Sequence, residues 1–291
     1  MLRAALMSGD DFVGGVVEIP PSLRDSTSEV GVAAVVLMTL GAMAGLFRGG
    51  PVSTTSVGAA RPTTPATTVA DRAARIPNAV AGDVPQVRIE TYSAPGLPDR
   101  FEVYIGGTVD FSPLAKQEPF DLTSNMAMEA GLPSGAADGV RQAMALAGID
   151  GQSEVVLVGH SQGGLVASAL AASGDYRVDA LVTFGAPAAQ IHIPASVPTL
   201  VVENIDDVVP ALGGIQSNDH ALVVRAQAYP EGIPPGLALP AHRIEAYGAT
   251  AEAIDQRAQS SQLVAFRERL GALTSGYEGV STQQYLVRRT G

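Results

Sequence analysis

The run Val155-Val156-Leu157-Val158-Gly159-His160-Ser161-Gln162-Gly163-Gly164 limits the fold more than any other part of the chain. Its apolar start predicts a buried strand. A G-x-S-x-G follows at once, and the Ala- and Leu-rich stretch Leu165 to Ala172 predicts a helix. Strand, tight turn around a serine, then helix is the setting of a nucleophile elbow. The constraint is steric. The turn holds the serine in a strained conformation with its hydroxyl at the top of a sheet, and a Cβ at Gly159 or Gly163 collides with the neighbouring strand and helix. The alternative is a serine in an ordinary glycine-rich loop between a strand and a helix.

The chain has 291 residues, enough for one large α/β domain plus an extension. Its 46% hydrophobic and 16% charged residues supply ample core-forming material. A net charge of -11, with Lys116 the single lysine, leaves no basic patch for a polyanion and argues against nucleic acid as a partner. Without cysteine there are no disulfides and no thiolate metal site. The histidines His160, His192, His220 and His242 have no ligand spacing, so no metal and no other cofactor is expected.

Before the elbow, residues 1–48 read as an extension and 49–83 as a Pro/Thr/Ala-rich linker. Val30 to Phe47 is uncharged and close to the minimum of about 18 residues for a membrane span. It starts too late, and without a basic region before it, for a signal peptide. Gly41 and Gly45 form a G-x-x-x-G, and Ser26 with Glu29 a capping box. The two readings are a buried or interface helix and a membrane anchor, and Arg24 and Arg48 are too balanced to orient it. The localisation therefore stays open between membrane-associated and cytoplasmic, with secretion not excluded. In the linker, Thr68-x-x-Asp71 opens a short helix that ends before Pro77.

Residues 84–274 alternate between strand and helix patterns. Val87, Ile89 and Thr91, then Phe101, Val103 and Ile105, predict a hairpin around Pro95 to Pro98. A helix is expected over much of Gly135 to Leu146. Apolar runs at Ala180 to Phe184, Thr199 to Val202 and Ala221 to Val224 predict strands. A single long helix is expected over Thr250 to Leu273, and 275–291 reads as a tail. The expected class is α/β, with a mostly parallel central sheet, helices on both faces and an N-terminal helical extension.

A serine hydroxyl needs a base within hydrogen-bond reach, and the base needs an acid to fix its tautomer. The order Ser, Asp, His on loops after strands is available here. Asp206 and Asp207 follow the Thr199 run, and spacing does not choose between them. His242 follows the Pro/Gly-rich loop Pro230 to Pro240, after the strand at Ala221 to Val224. His220 precedes that strand, His192 reads as a surface residue, and His160 sits beside the serine as a packing or substrate-contacting residue. For an oxyanion, the N–H of Gln162 and the Gly106-Gly107-Thr108 segment supply donors, with Gly107 and Thr108 the candidates; the glycine pair merely making a turn is the alternative. Tyr229 to Ala241, with Ile233, Leu237 and Leu239, forms either an apolar rim beside the site or a surface loop.

Gly159-His160-Ser161-Gln162-Gly163-Gly164, Thr183-Phe184-Gly185-Ala186-Pro187, Asn204 with Asp207-Val208-Val209-Pro210, and Ile105-Gly106-Gly107-Thr108 resemble the run of motifs in α/β-hydrolase lipases, especially class 3 lipases. The chain is similar to a distant, actinobacterial-type branch of that superfamily over roughly Val87 to Leu273. The resemblance implies an α/β-hydrolase fold and maps the D-x-V-P pattern onto Asp207 and the histidine onto His242. It implies a serine esterase acting on a small-molecule ester or lipid. A thioesterase, an amidase and a catalytically silent binding module are the alternatives. Residues 30–47 are the place of any membrane association, and residues 1–83 read alternatively as a separable helical module. The sequence sets no oligomeric state.

Overall fold

A computed structural model describes residues 29–257 and 260–290 of the chain. Its elements, in chain order, are α1 (Glu29–Met43), β1 (Val52–Pro62), α2 (Val69–Arg75), β2 (Val87–Ser93), β3 (Arg100–Ile105), α3 (Leu122–Glu129), α4 (Gly135–Leu146), β4 (Glu154–His160), α5 (Gln162–Ser173), β5 (Arg177–Phe184), β6 (Thr199–Asn204), β7 (Leu222–Ala226), α6 (Ile244–Arg257), α7 (Ser261–Leu273) and β8 (Gly279–Arg289). The strands form one sheet in the order β1-β8-β2-β3-β4-β5-β6-β7. From β3 to β7 every pairing is parallel, and the β1, β8 and β2 side is antiparallel.

Alternation along the central strands fills two cores. In β4, Val155 and Leu157 face α4 and α5, packing on Val140, Met144, Val166 and Leu170. Val156 and Val158 face the other way, toward Val69 and Ile76 of the α2 segment, Tyr247 and Ile254 of α6, and Phe266 of α7. A strand buried on both faces reads as a continuous apolar run, as β4 does.

Three expectations change. The linker at 49–83 holds β1, and the tail at 275–291 holds β8. β8 runs antiparallel between β1 and β2. In β8 only Val280, Tyr285 and Val287 are buried, so its core face is short and its ladder carries the strand. β1 has one buried side chain, Thr54, and owes its place to pairing with β8. The helix expected over 250–273 is two helices. The first starts at Ile244, and Ser260 caps the second by accepting the Leu263 N–H at 3.2 Å.

The apolar run at 30–47 yields α1, which lays Ala34, Val35 and Met38 against Met126 and Ala130 at the end of α3. Gly41 lies under Phe47, whereas Gly45 lies past the helix end at φ 80°, so the two glycines do not share a helical stripe. Among the described residues no helix is long and apolar enough to cross a membrane. Ser26 of the expected capping box lies outside the described residues.

Candidate active site

β4 ends at His160 and α5 begins at Gln162, leaving Ser161 alone in the turn at φ 53° and ψ -124°. A non-glycine residue in that region costs on the order of 1–3 kcal/mol, and the surroundings must enforce it. They do so by contact. A Cβ at Gly159 would overlap the Gly163 backbone, and one at Gly163 would overlap the Ile105 carbonyl. The Ser161 N–H is held by the Phe184 carbonyl at 2.9 Å.

His242 closes a short turn, Pro240 to His242, after β7. Its Nε2 lies 2.8 Å from Ser161 Oγ, and its Nδ1 2.7 Å from Asp207 Oδ2. Asp207 is buried in the loop after β6, where Oδ1 accepts the Val209 N–H at 3.0 Å and Oδ2 accepts the Tyr247 hydroxyl at 2.7 Å. Burial pushes the Asp207 carboxyl up, but hydrogen bonds from His242, Val209 and Tyr247 and the nearby imidazole outweigh it, leaving the group below its usual range. Asp206 turns to the next loop, accepting the Ala228 N–H at 3.0 Å and the Tyr229 N–H at 2.9 Å. Adjacent in sequence, the two carboxylates thus have separate tasks.

The turn carrying His242 is pinned from behind. His160 Nε2 donates to the His242 carbonyl at 2.8 Å, and Asn204 Nδ2 donates to the Ala241 carbonyl at 2.8 Å. Burial, helped by proximity to His242, pushes the His160 pKa down to about 3, so this ring is neutral near pH 7. His192 and His220 are exposed.

Gln162 opens α5, so its N–H is one of the leading helical donors without an intrahelical acceptor. Its side chain is buried and donates to the Asp121 carbonyl at 2.8 Å. Gly107 lies against the serine: a Cβ there would stand 3.2 Å from both Ser161 Cβ and His160 Nδ1. Thr108 is buried, and its Oγ1 accepts from Asn125 Nδ2 at 2.9 Å. A cavity of about 380 Å³ opens above Ser161. Val80, Phe111, Leu239 and Ile244 give it apolar walls, with Gly107, Thr108, His160 and His242 at the reactive end.

Of the expected rim residues, Leu239 lines the cavity, while Ile233 and Leu237 are exposed and outside its lining. The loop turns at Gly232 and Gly236, both at positive φ, and carries those two side chains away. The opposite wall comes from Pro77 to Val80, in the segment read as a linker.

The sheet order, the parallel strands from β3 to β7 and the strained serine between β4 and α5 are joined by one comparison. A family model described as alpha/beta hydrolase fold matches residues 149–227. This chain has the α/β-hydrolase fold. The matched stretch runs from just before β4 to just past β7 and contains Ser161 and Asp207, and it ends before His242. It suggests hydrolase activity and carries no finer assignment. No match is found among curated proteins or among solved structures.

Sequence reasoning missed Tyr247, Asn125 and the Pro77 to Val80 wall. Tyr247 and Asn125 meet the site through tertiary contacts that no local spacing announces. The wall follows a recognisable α2, but only tertiary packing brings it to the serine. Among the described residues no group of three His, Cys, Asp or Glu side chains is arranged to hold a metal ion.

Proposed function

We propose that this α/β-hydrolase-fold chain is a serine hydrolase of carboxylic esters that works through an acyl-enzyme on Ser161. One observation supports the reading above all: the unbroken chain of hydrogen bonds from Ser161 Oγ through His242 to Asp207, at 2.8 and 2.7 Å. In this reading His242 Nε2 takes the serine proton as Oγ attacks the ester carbonyl carbon. The N–H groups of Gln162 and of Gly107 or Thr108 receive the oxyanion. Collapse of the tetrahedral intermediate breaks the bond to the alkoxy oxygen, and His242 returns the proton to the leaving alcohol. Water then attacks the acyl-enzyme with the same base, releasing the acid and restoring Ser161. Asp207 remains ionised and keeps Nδ1 protonated.

The apolar cavity favours an ester with a hydrocarbon acyl or alcohol part. The likeness of the Gly159 to Gly164, Phe184 to Pro187 and Asp207 to Pro210 segments to class 3 lipases points the same way. The exposed Leu37, Leu40 and Met43 of α1 are the surface we assign to any association with lipid.

A fluorophosphonate probe should label the wild type and leave Ser161→Ala unlabelled, and ester turnover should fall on the order of 10⁴-fold or more in that variant. Equal labelling of both proteins overturns the proposal. A panel of acyl esters, thioesters and amides tests the ester assignment. Faster turnover of matched thioesters or amides would replace it without touching the role of Ser161.

A further inference from the structure

We propose that Tyr247 is a positioning residue that shares Asp207 Oδ2 with His242, fixing the rotation of the carboxylate and tempering its pull on the imidazole. The inference rests on the serine hydrolase reading above and concerns a side chain that this mechanism does not use. Tyr247 lies in α6, one turn past His242. Its ring is fully buried on the sheet, 6.3 Å edge-on to Phe184 and 6.5 Å from His242 at an interplanar angle of 90°. The close approach needs Gly185, where a Cβ would press into the ring.

The hydroxyl is fixed on both sides. It accepts the Asn204 N–H at 3.2 Å and donates to Asp207 Oδ2 at 2.7 Å, the oxygen that His242 Nδ1 contacts at the same distance. With Val209 N–H on Oδ1, the carboxylate is held at three points. A carboxylate held only at Oδ1 can swing Oδ2 away from the imidazole. The second donor on Oδ2 also draws off negative charge that would otherwise stabilise the imidazolium. Burial pushes the phenol far above its ordinary pKa, and Asp207 adds to this, so the hydroxyl keeps its proton wherever the enzyme works.

Among the described residues few other charges face this pair. His160 stands 5.0 Å from the His242 ring and is neutral near pH 7. Arg243 pairs with Glu245 at 3.4 Å, and Glu203 pairs with Arg225 at 2.8 Å. In α2, packed on α6, Asp71 caps its own helix, Arg72 meets Glu102 and Arg75 meets Glu90. The Tyr247 hydroxyl is therefore the neutral group best placed to tune Asp207.

The test is the pH profile of ester hydrolysis by the full chain carrying Tyr247→Phe, which keeps the buried ring. Loss of one hydrogen bond to a charged group should lower kcat roughly tenfold. KM should stay within about twofold, because the hydroxyl touches no substrate. The acidic limb of kcat/KM should move to higher pH, since Oδ2 without its second donor favours the imidazolium. Site-specific 3-fluorotyrosine at 247, a stronger donor, should move the limb to lower pH. A purely structural tyrosine lowers the melting temperature and moves neither limb, and coincident limbs in all three proteins overturn the inference. If Tyr247→Phe does not fold, the fluorotyrosine protein decides alone. Ser161→Ala separates the two proposals. A dead Ser161→Ala beside unmoved limbs sinks only the role of Tyr247, whereas an active Ser161→Ala sinks the parent reading.

Discussion

Two imidazoles lie side by side at this site, and their surroundings divide them. His242 faces the cavity between a hydroxyl and a carboxylate. His160 lines the same cavity but is largely buried, with its Nε2 spent on the His242 carbonyl. Chain order after a strand pointed to His242 and the elbow to Ser161, two side chains that the structure brings within 2.8 Å of each other. Spacing could not choose between Asp206 and Asp207, because neighbouring residues on one loop share every local signal. Tyr247 was out of reach, since nothing in a helical sequence says which tyrosine ends against a carboxylate. The neutral His160 has a consequence for stability. In the unfolded chain its ring takes up a proton near pH 6.5, but in the folded chain only near pH 3. Between those values the unfolded state binds more protons, so stability is full above about pH 6.5 and declines as the pH falls toward 3, by up to about 1.4 kcal/mol per pH unit from this group. His160→Gln keeps a donor for the carbonyl and removes the titration. Its melting temperature should fall less steeply between pH 6.5 and 4.5 than that of the wild type, and parallel slopes would show that His160 does not govern the acid limb.

At the scale of elements, legibility followed burial. β4, β5 and β6 are sunk in the sheet and announced themselves as apolar runs. β1 and β8 are mostly polar, and what holds them is a ladder between residues far apart in sequence, so they looked like linker and tail. The short α2 was visible through its capping box, which is present, but its partners were not. Arg72 points from α2 into the sheet and meets Glu102 at 2.7 Å, with both side chains almost wholly buried, and the Tyr104 hydroxyl donates to the same carboxylate. From the far side, Asp255 of α6 accepts the Val69 and Ala70 N–H groups at the start of α2. Removing one partner of a buried ion pair leaves an uncompensated charge, at a cost of about 3–5 kcal/mol. Arg72→Met should lose that much in urea denaturation. The double variant Arg72→Met/Glu102→Gln should recover part of the loss, because neither charge is then stranded. A double variant as unstable as the sum of the two single ones would mean that the pair is not coupled. Activity should follow stability here, as the Pro77 to Val80 wall hangs from the end of α2.

For the molecule as a whole, the boundary between extension and domain moves. The sequence drew it at residue 83, yet β1 and α2, both before that point, are built into the sheet and its covering layer. Deleting residues 1–83 would remove the strand that pairs along β8, leaving β8 as an open edge. It would strand Glu102 without Arg72 and take Val69, Ala73 and Ile76 out of the second core. It would also strip one wall from the cavity over Ser161. Burying a side chain such as Val or Ile is worth about 1.5–3 kcal/mol, so those losses together approach the roughly 5–15 kcal/mol by which a domain is stable. A chain beginning at Val84 should therefore be recovered insoluble or unfolded, and should not react with a fluorophosphonate. A chain beginning at Gly49 keeps β1 and α2 and gives up α1, whose described contacts are a small cluster with α3. It should stay folded and label at Ser161, with a modest drop in melting temperature. A soluble chain from Val84 that labels as fast as the full protein would overturn this boundary, and would make the first 83 residues the separable module that their composition suggested.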